Sequence, residues 1–295
     1  MQNVSFYLFN FIDKIFYFPN FIFDVRSSYK KLINNDYLLI KNKKIKFLSD
    51  FIISKYHSNS LKINKKKKEI LHKDKKRYYF SLNEYFSNEQ IFKINSILKN
   101  KEIIKKISHH FGYKVKFNEV IIYYNYYNNN ISENFASKMW HRDNDSLYGQ
   151  LKLFLICNKL SKKKGGYFYF IPKKFLSEQI RIISKDALND KSLTKEDKRA
   201  RVLDSDIHKL NLKNKIIKYG VRSTEALIFN TNDQYHKGGH IKKSEGFRLM
   251  IMATYLPNFL YIGNFSKYFL KYTFYKWITI ILIGIKNRLR KKVYI

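Results

Sequence analysis

The sequence predicts a mainly β chain with flanking helices, closed as an antiparallel barrel or a double-sheet jelly roll. Three observations support this. Runs rich in β-branched and aromatic residues recur after Gly112, each run is short, and helical crossovers of the kind a parallel sheet needs are missing between them. At 295 residues, with 3 Pro and 10 Gly, the chain suits one large domain with appendages better than two equal domains joined by linkers.

From the N-terminus, residues 1–30 form an aromatic segment that is expected to be a helix packed on the body. Asp13 and Lys14 interrupt its apolar run too early for a membrane span, and it lacks the basic start and small-residue cleavage site of a signal peptide. Residues 30–41 read as a short helix feeding a strand, and the lysine-dense stretch Asn64 to Lys76 as a solvated loop. Ser87-Asn-Glu-Gln90 has the form of a capping box, followed by Ile91, Ile94 and Leu98 at helical spacing. A second helix is expected from Lys101 to His110, with His109 and His110 favoured at its negative end as caps rather than metal ligands. Strands are predicted at Val120–Tyr127, Leu151–Cys157, Tyr167–Ile171, Glu225–Asn230 and Leu249–Leu256. The polar stretch Lys173 to Lys215 is too long for a hairpin loop. Thr194-Lys-Glu-Asp197 predicts a helix within it, and the insertion is placed to form a wall or lid.

The formal net charge of +35 points to polyanionic partners, nucleic acid or an anionic membrane. Part of that signal is discounted, because Lys, Asn, Ile, Tyr and Phe dominate together, as AT-rich codons would impose. The charge is nonetheless concentrated locally, since no acidic residue follows Glu245. The single cysteine, Cys157, lies in an apolar run, which rules out an intrachain disulfide and fits a reducing, cytoplasmic setting. Residues 258–295 form an apolar and then basic tail, expected to be helical. Its uncharged run between Lys276 and Lys286 is well short of the ~20 residues of a spanning helix. An interfacial helix at the inner face of an anionic membrane, and a helix packed on the barrel or on a second copy, are equally compatible with it.

His141-Arg142-Asp143 carries the chemistry. On an extended strand residues i and i+2 share a face, so His141 and Asp143 can grip one metal while Arg142 points away. A second imidazole, His236, completes the 2-His-1-carboxylate set of a non-haem Fe(II) site with positions left open for a cosubstrate and dioxygen. Arg248 follows, and its planar fork suits the distal carboxylate of 2-oxoglutarate. Asp145 is a weaker alternative to Asp143 because it falls toward a turn, and His240 a weaker one to His236 because it lies beyond Gly238-Gly239.

In order along residues 32–257, several segments resemble the phytanoyl-CoA dioxygenase family of Fe(II)/2-oxoglutarate oxygenases. These are Asn35 to Lys41, Met139-Trp-His-Arg-Asp143, Lys152 to Ile156, Gly165 to Pro172, Ala226 to Thr231, His236-Lys-Gly-Gly239 and Arg248 to Tyr255. The resemblance implies a double-stranded β-helix, a jelly-roll, cupin-like barrel. It implies His141, Asp143 and His236 as iron ligands, Arg248 as the 2-oxoglutarate anchor and Phe154 beside the cosubstrate, where the alternative for a Phe is plain core. It also implies a hydroxylase that consumes O2, converts 2-oxoglutarate to succinate and takes ascorbate as reductant. Halogenating relatives lack the carboxylate that Asp143 supplies here. Two departures stand out. The family's Gly-Ser-His after the proline is here Lys173-Lys174-Phe175, and a small hydroxylated residue common two positions after the distal histidine is here Gly238, so that one cosubstrate hydrogen bond is missing or comes from elsewhere.

The expected substrate is a small molecule or a lipid- or glycan-linked one. A nucleic-acid binder or demethylase of the same fold is the weaker reading, since residues 249–256 lack the second arginine of such enzymes. A non-catalytic membrane-surface binder is weaker still, because all four key positions are filled.

Overall fold

The computed structural model describes residues 36–111, 115–131, 136–143, 150–177, 180–191, 193, 200–220, 224–257 and 290–295. The N-terminal segment, Asp145, the Thr194–Asp197 motif and residues 258–289 of the tail lie outside them.

Alternation of side chains builds the larger sheet. Its strands are β1 (Tyr37–Ile40), β2 (Tyr79–Ser81), β3 (Val115–Tyr126), β4 (Leu151–Ile156), β8 (Ala226–Asn230) and β10 (Phe247–Pro257), in the order β1-β8-β4-β10-β3-β2. All the pairings are antiparallel, with one register shift between Thr254 and Tyr255. Leu151, Leu153 and Leu155 of β4 and Leu249, Ile251, Ala253 and Tyr255 of β10 face a helical layer. That layer comprises α1 (Lys43–Ser58), α2 (Ser60–Lys73), α3 (Asn88–Leu98) and α4 (Lys101–Phe111). Residues of the opposite parity, Phe154, Ile156 and Met250, face a second sheet. Its strands are β5 (Phe168–Phe170), β7 (Ile217–Tyr219) and β9 (His236–Gly238), ordered β7-β5-β9. Two antiparallel sheets thus enclose a core of the aromatic Phe154, Phe168, Phe170 and Phe229 with the aliphatic Leu227, and the architecture is a jelly roll of the double-stranded β-helix kind.

The helices follow from their caps. Asn42 accepts the Ile45 N–H at 2.8 Å to start α1, and Ser87 with Gln90 forms the reciprocal box that starts α3. Residues 64–73 of the Asn64–Lys76 stretch belong to a helix and not to the solvated loop expected there. Lysine is a good helix former, and α2 needs only Ile63 fully buried, with Ile70 and Leu71 partly covered beside it, to dock.

The insertion after Pro172 contains β6 (Ile180–Ile183), α5 (Lys185–Asn189) and α6 (Asp204–Lys209). It packs through Leu176, Ile182, Val202 and Ile207 against Trp140 and Tyr235. The end of the chain is a strand where a basic helix was expected: β11 (Lys291–Tyr294) runs parallel to β6. The pairing is continued by Lys185 N–H donating to the Ile295 carbonyl and Ile295 N–H to that of Ile183. Among the described residues no helix is long and apolar enough to cross a membrane.

Candidate metal centre

β9 is three residues long, yet it sets the centre. His141 and His236 face each other as an antiparallel bridge: the His141 N–H donates to the His236 carbonyl at 3.0 Å, and the reverse bond measures 2.9 Å. Opposed residues of such a pair present their side chains on one face, and the two imidazole centroids lie 4.4 Å apart. On its other side the strand bonds outward through Trp140 to Val202, which ties it to the insertion. Two residues on, the Asp143 N–H donates to the Thr231 carbonyl at the end of β8. Its carboxylate Oδ1 lies 3.7 Å from His141 Nε2 and 3.6 Å from His236 Nε2.

The donor set suits a divalent transition metal. The Nδ1 of each histidine bonds a main-chain carbonyl two residues back, Met139 at 2.9 Å and Gln234 at 3.1 Å. That bond keeps the proton on Nδ1 and leaves the Nε2 lone pair directed at the shared space. Burial lowers the pKa of both imidazoles, and for His141 the neighbouring His236 and Arg201 add to the effect against the opposing pull of Asp143. Both rings are therefore neutral and ready to donate. Burial would raise the Asp143 carboxyl, but its neighbours His236, Lys152 and His141 outweigh it and hold the group ionised below the usual carboxylate range, with the Lys152 ammonium the full charge among them while the rings are neutral. Cis donors about 2.1 Å from a metal lie roughly 3.0 Å apart, so a modest inward closure completes the chelate. Among the described residues these three are the one cluster of His, Cys, Asp and Glu with ligand atoms close enough to hold an ion.

Lys152, only 8 % exposed, donates to the second Asp143 oxygen at 2.7 Å. Sequence reasoning missed its part in the site. The available signal was a charged residue at the same inward parity as Phe154 and Ile156 on an otherwise apolar strand.

Arg248, 5 % exposed on β10, lies at the far end of β9. Its Nε donates to Asn125 Oδ1 at 3.2 Å, and Nη1 to the carbonyls of Gly166 and Tyr167 at 3.0 and 3.4 Å. Every one of these partners is neutral, and burial moves the guanidinium down to about 10. Among the described residues its hydrogen-bond partners are dipoles alone, which leaves the guanidinium charge available to an anion.

The fold has structural likenesses among solved proteins. EctD from S. alaskensis with bound Fe is 10 % identical at a TM-score of 0.45, over 77 % of this chain and 75 % of that one. HygX from Streptomyces hygroscopicus with nickel and 2-oxoglutarate bound is 12 % identical at 0.43, over 79 % and 87 %. The epimerase SnoN, in complex with Fe3+, alpha ketoglutarate and nogalamycin RO, is 11 % identical at 0.42, over 78 % and 81 %. No protein-family model matches the chain, and no curated protein matches it in sequence.

Of the predicted site residues, His141, Asp143 and His236 converge, and Arg248 approaches the same strand two residues beyond His236. Phe154 stacks on Phe168 with centroids 4.6 Å apart and lies 6.4 Å from the His236 ring, while Phe229 and Phe168 come closer to that ring, at 5.5 and 5.7 Å. Phe154 is thus one member of an aromatic cluster beside the metal ligands. His240 is turned away from the triad, with its Nδ1 bonded to Lys138 Nζ at 2.8 Å. Arg142 points away from the metal ligands, as strand parity predicts, and is itself buried. It stacks on Tyr235 at 4.4 Å and donates to the Ile180 and Ser177 carbonyls at 2.7 and 3.0 Å, fastening the insertion to the metal-bearing strand.

Proposed function

We propose that this chain is an Fe(II)- and 2-oxoglutarate-dependent oxygenase of the phytanoyl-CoA dioxygenase-like kind. It hydroxylates an unactivated carbon of a small-molecule, lipid-linked or glycan-linked substrate and releases succinate. The observation that carries the reading is a His-Asp-His chelate whose second histidine shares a three-residue strand with the contact point of a buried, neutrally partnered arginine. A chelating 2-oxo acid with a second carboxylate is matched in charge and donor type to that pair of features.

Each residue has a defined task. His141 Nε2, His236 Nε2 and Asp143 Oδ1 would hold the iron. Arg248 binds the far carboxylate and so fixes the direction in which the 2-oxo acid lies. Lys152 keeps one oxygen of Asp143 engaged, which favours single-oxygen ligation. Phe154, Phe168 and Phe229 keep water from the inner side of His236. Iron with 2-oxoglutarate and dioxygen supplies the oxidising power, and the protein supplies placement.

The test is stoichiometric. With iron and ascorbate present, a metabolite pool that contains the substrate should stimulate oxygen uptake and succinate formation in equal amounts. Failure of every pool to raise succinate above the uncoupled background would contradict an active oxygenase.

A further inference from the structure

Gly238 stands where the resembling family commonly has a serine or threonine, and the structure gives a reason. A Cβ placed on Gly238 would lie 3.1 Å from Arg248 Nη2, tighter than ordinary packing allows, so the guanidinium occupies the space such a side chain would use. A carboxylate bonded to Arg248 keeps unused lone pairs on its oxygens, and in a buried site these call for a further donor.

Two hydroxyls face the same small cavity from distant parts of the chain. Tyr78, at the entrance to β2, and Ser137, in the turn before Met139, line it together with Asn125, Gly238 and Arg248. Their side-chain oxygens are in direct hydrogen-bond contact. Tyr78 Oη also accepts from the Ser137 N–H, which holds the two hydroxyls together; either can donate across the pair, and when the phenol donates, the serine proton is free to turn toward a ligand. The Tyr78 main chain is fixed by the Tyr126 N–H at 3.0 Å, and the Ser137 carbonyl lies beside β9, 3.7 Å from where a Cβ on Gly238 would stand. Lys138, with its Nζ 5.0 Å from the Tyr78 ring centroid, adds positive charge to the wall, and among the described residues no acidic side chain lines the cavity.

We propose that the Tyr78–Ser137 hydroxyl pair replaces the missing hydroxyl at position 238 and, with Arg248, seats the far carboxylate of the 2-oxo dicarboxylic acid. This rests on the function proposed above. Ser137 is the donor to the ligand, and Tyr78 is a positioning residue that orients the serine proton.

The experiment is an anaerobic titration of the Fe(II)-loaded full chain with 2-oxoglutarate and, separately, with 2-oxobutyrate, followed by visible charge-transfer absorption. Both ligands chelate through the keto acid, and only the first carries a distal carboxylate. In Ser137→Ala and Tyr78→Phe the Kd for 2-oxoglutarate should rise about tenfold or more while that for 2-oxobutyrate stays put, and Ser137→Thr should restore the difference. Equal weakening of both ligands, or of neither, in a variant with unchanged thermal unfolding would overturn the assignment. A wild-type chain that binds 2-oxobutyrate as tightly as 2-oxoglutarate would instead overturn the function on which it rests.

Discussion

At the scale of single residues, Lys152 acts together with His236 and His141 to hold Asp143 ionised. A carboxylate this buried is costly to ionise, and the ammonium at 2.7 Å offsets that cost while holding the oxygen not aimed at the imidazoles. Lys152→Met should weaken Fe(II) binding by roughly 10–100-fold, read by competition with a chelating dye, because outer partners orient the ligands. A second consequence concerns acid. The folded pKa values of His141 and His236 lie below 6.5 and that of Asp143 below 3.8, so in each case the unfolded chain binds protons first as pH falls. Stability from the imidazoles is therefore complete above about 6.5 and is lost progressively below it, with the carboxylate adding a further loss near and below 3.8. Urea midpoints of the metal-free chain should be level at neutral to mildly alkaline pH and decline in mild acid; a flat profile into acid would refute the buried neutral pair. The alternation of His141 and Asp143 was legible in the sequence, because parity on a strand needs no partner to be read. Tyr78 and Ser137 were not, since only a contact between segments 59 positions apart brings their hydroxyls together.

At the scale of elements, the strand of His141 is tied on both edges. One edge bonds β9, the other bonds Val202, and Arg142 reaches to the carbonyls of Ser177 and Ile180. The residue between two metal ligands thus holds the insertion, and the insertion in turn carries Arg201, whose charge is felt by both imidazoles. Arg142→Ala removes two charge-assisted hydrogen bonds and a stacked guanidinium. The insertion should then be cut faster by protease, while the metal still binds and α3 and β10 keep their protection from amide exchange. The capping box of α3 and the apolar parity of β4, β8 and β10 could be read directly, because each is a local signal. β9 and β7 could not, since three residues carry no periodicity, and α2 was hidden by lysines whose aliphatic stems and helix propensity matter more there than their charge.

At the scale of the whole molecule, one sheet divides two environments. Its helical side is a continuous apolar core, and its inner side grades from the aromatic cluster of Phe154, Phe168, Phe170 and Phe229 to the charged mouth of His141, Asp143, His236, Lys152 and Arg248. The jelly roll as a class was legible from short strands without crossovers. The return of β11 to pair with β6 was not, because a parallel pairing between segments more than a hundred residues apart leaves no local mark. The central claim is that a metal at the triad and an anion at Arg248 are bridged by one cosubstrate. The most direct measurement is anaerobic addition of 2-oxoglutarate to the Fe(II)-loaded chain, monitored for a visible charge-transfer band, in wild type, Asp143→Ala and Arg248→Ala. The wild type should develop the band at stoichiometric iron. Asp143→Ala should lose tight iron binding, and Arg248→Ala should keep its iron but need at least about tenfold more 2-oxoglutarate. A wild-type chain that binds iron and shows no band, or an Arg248→Ala variant that titrates like wild type, would contradict the account.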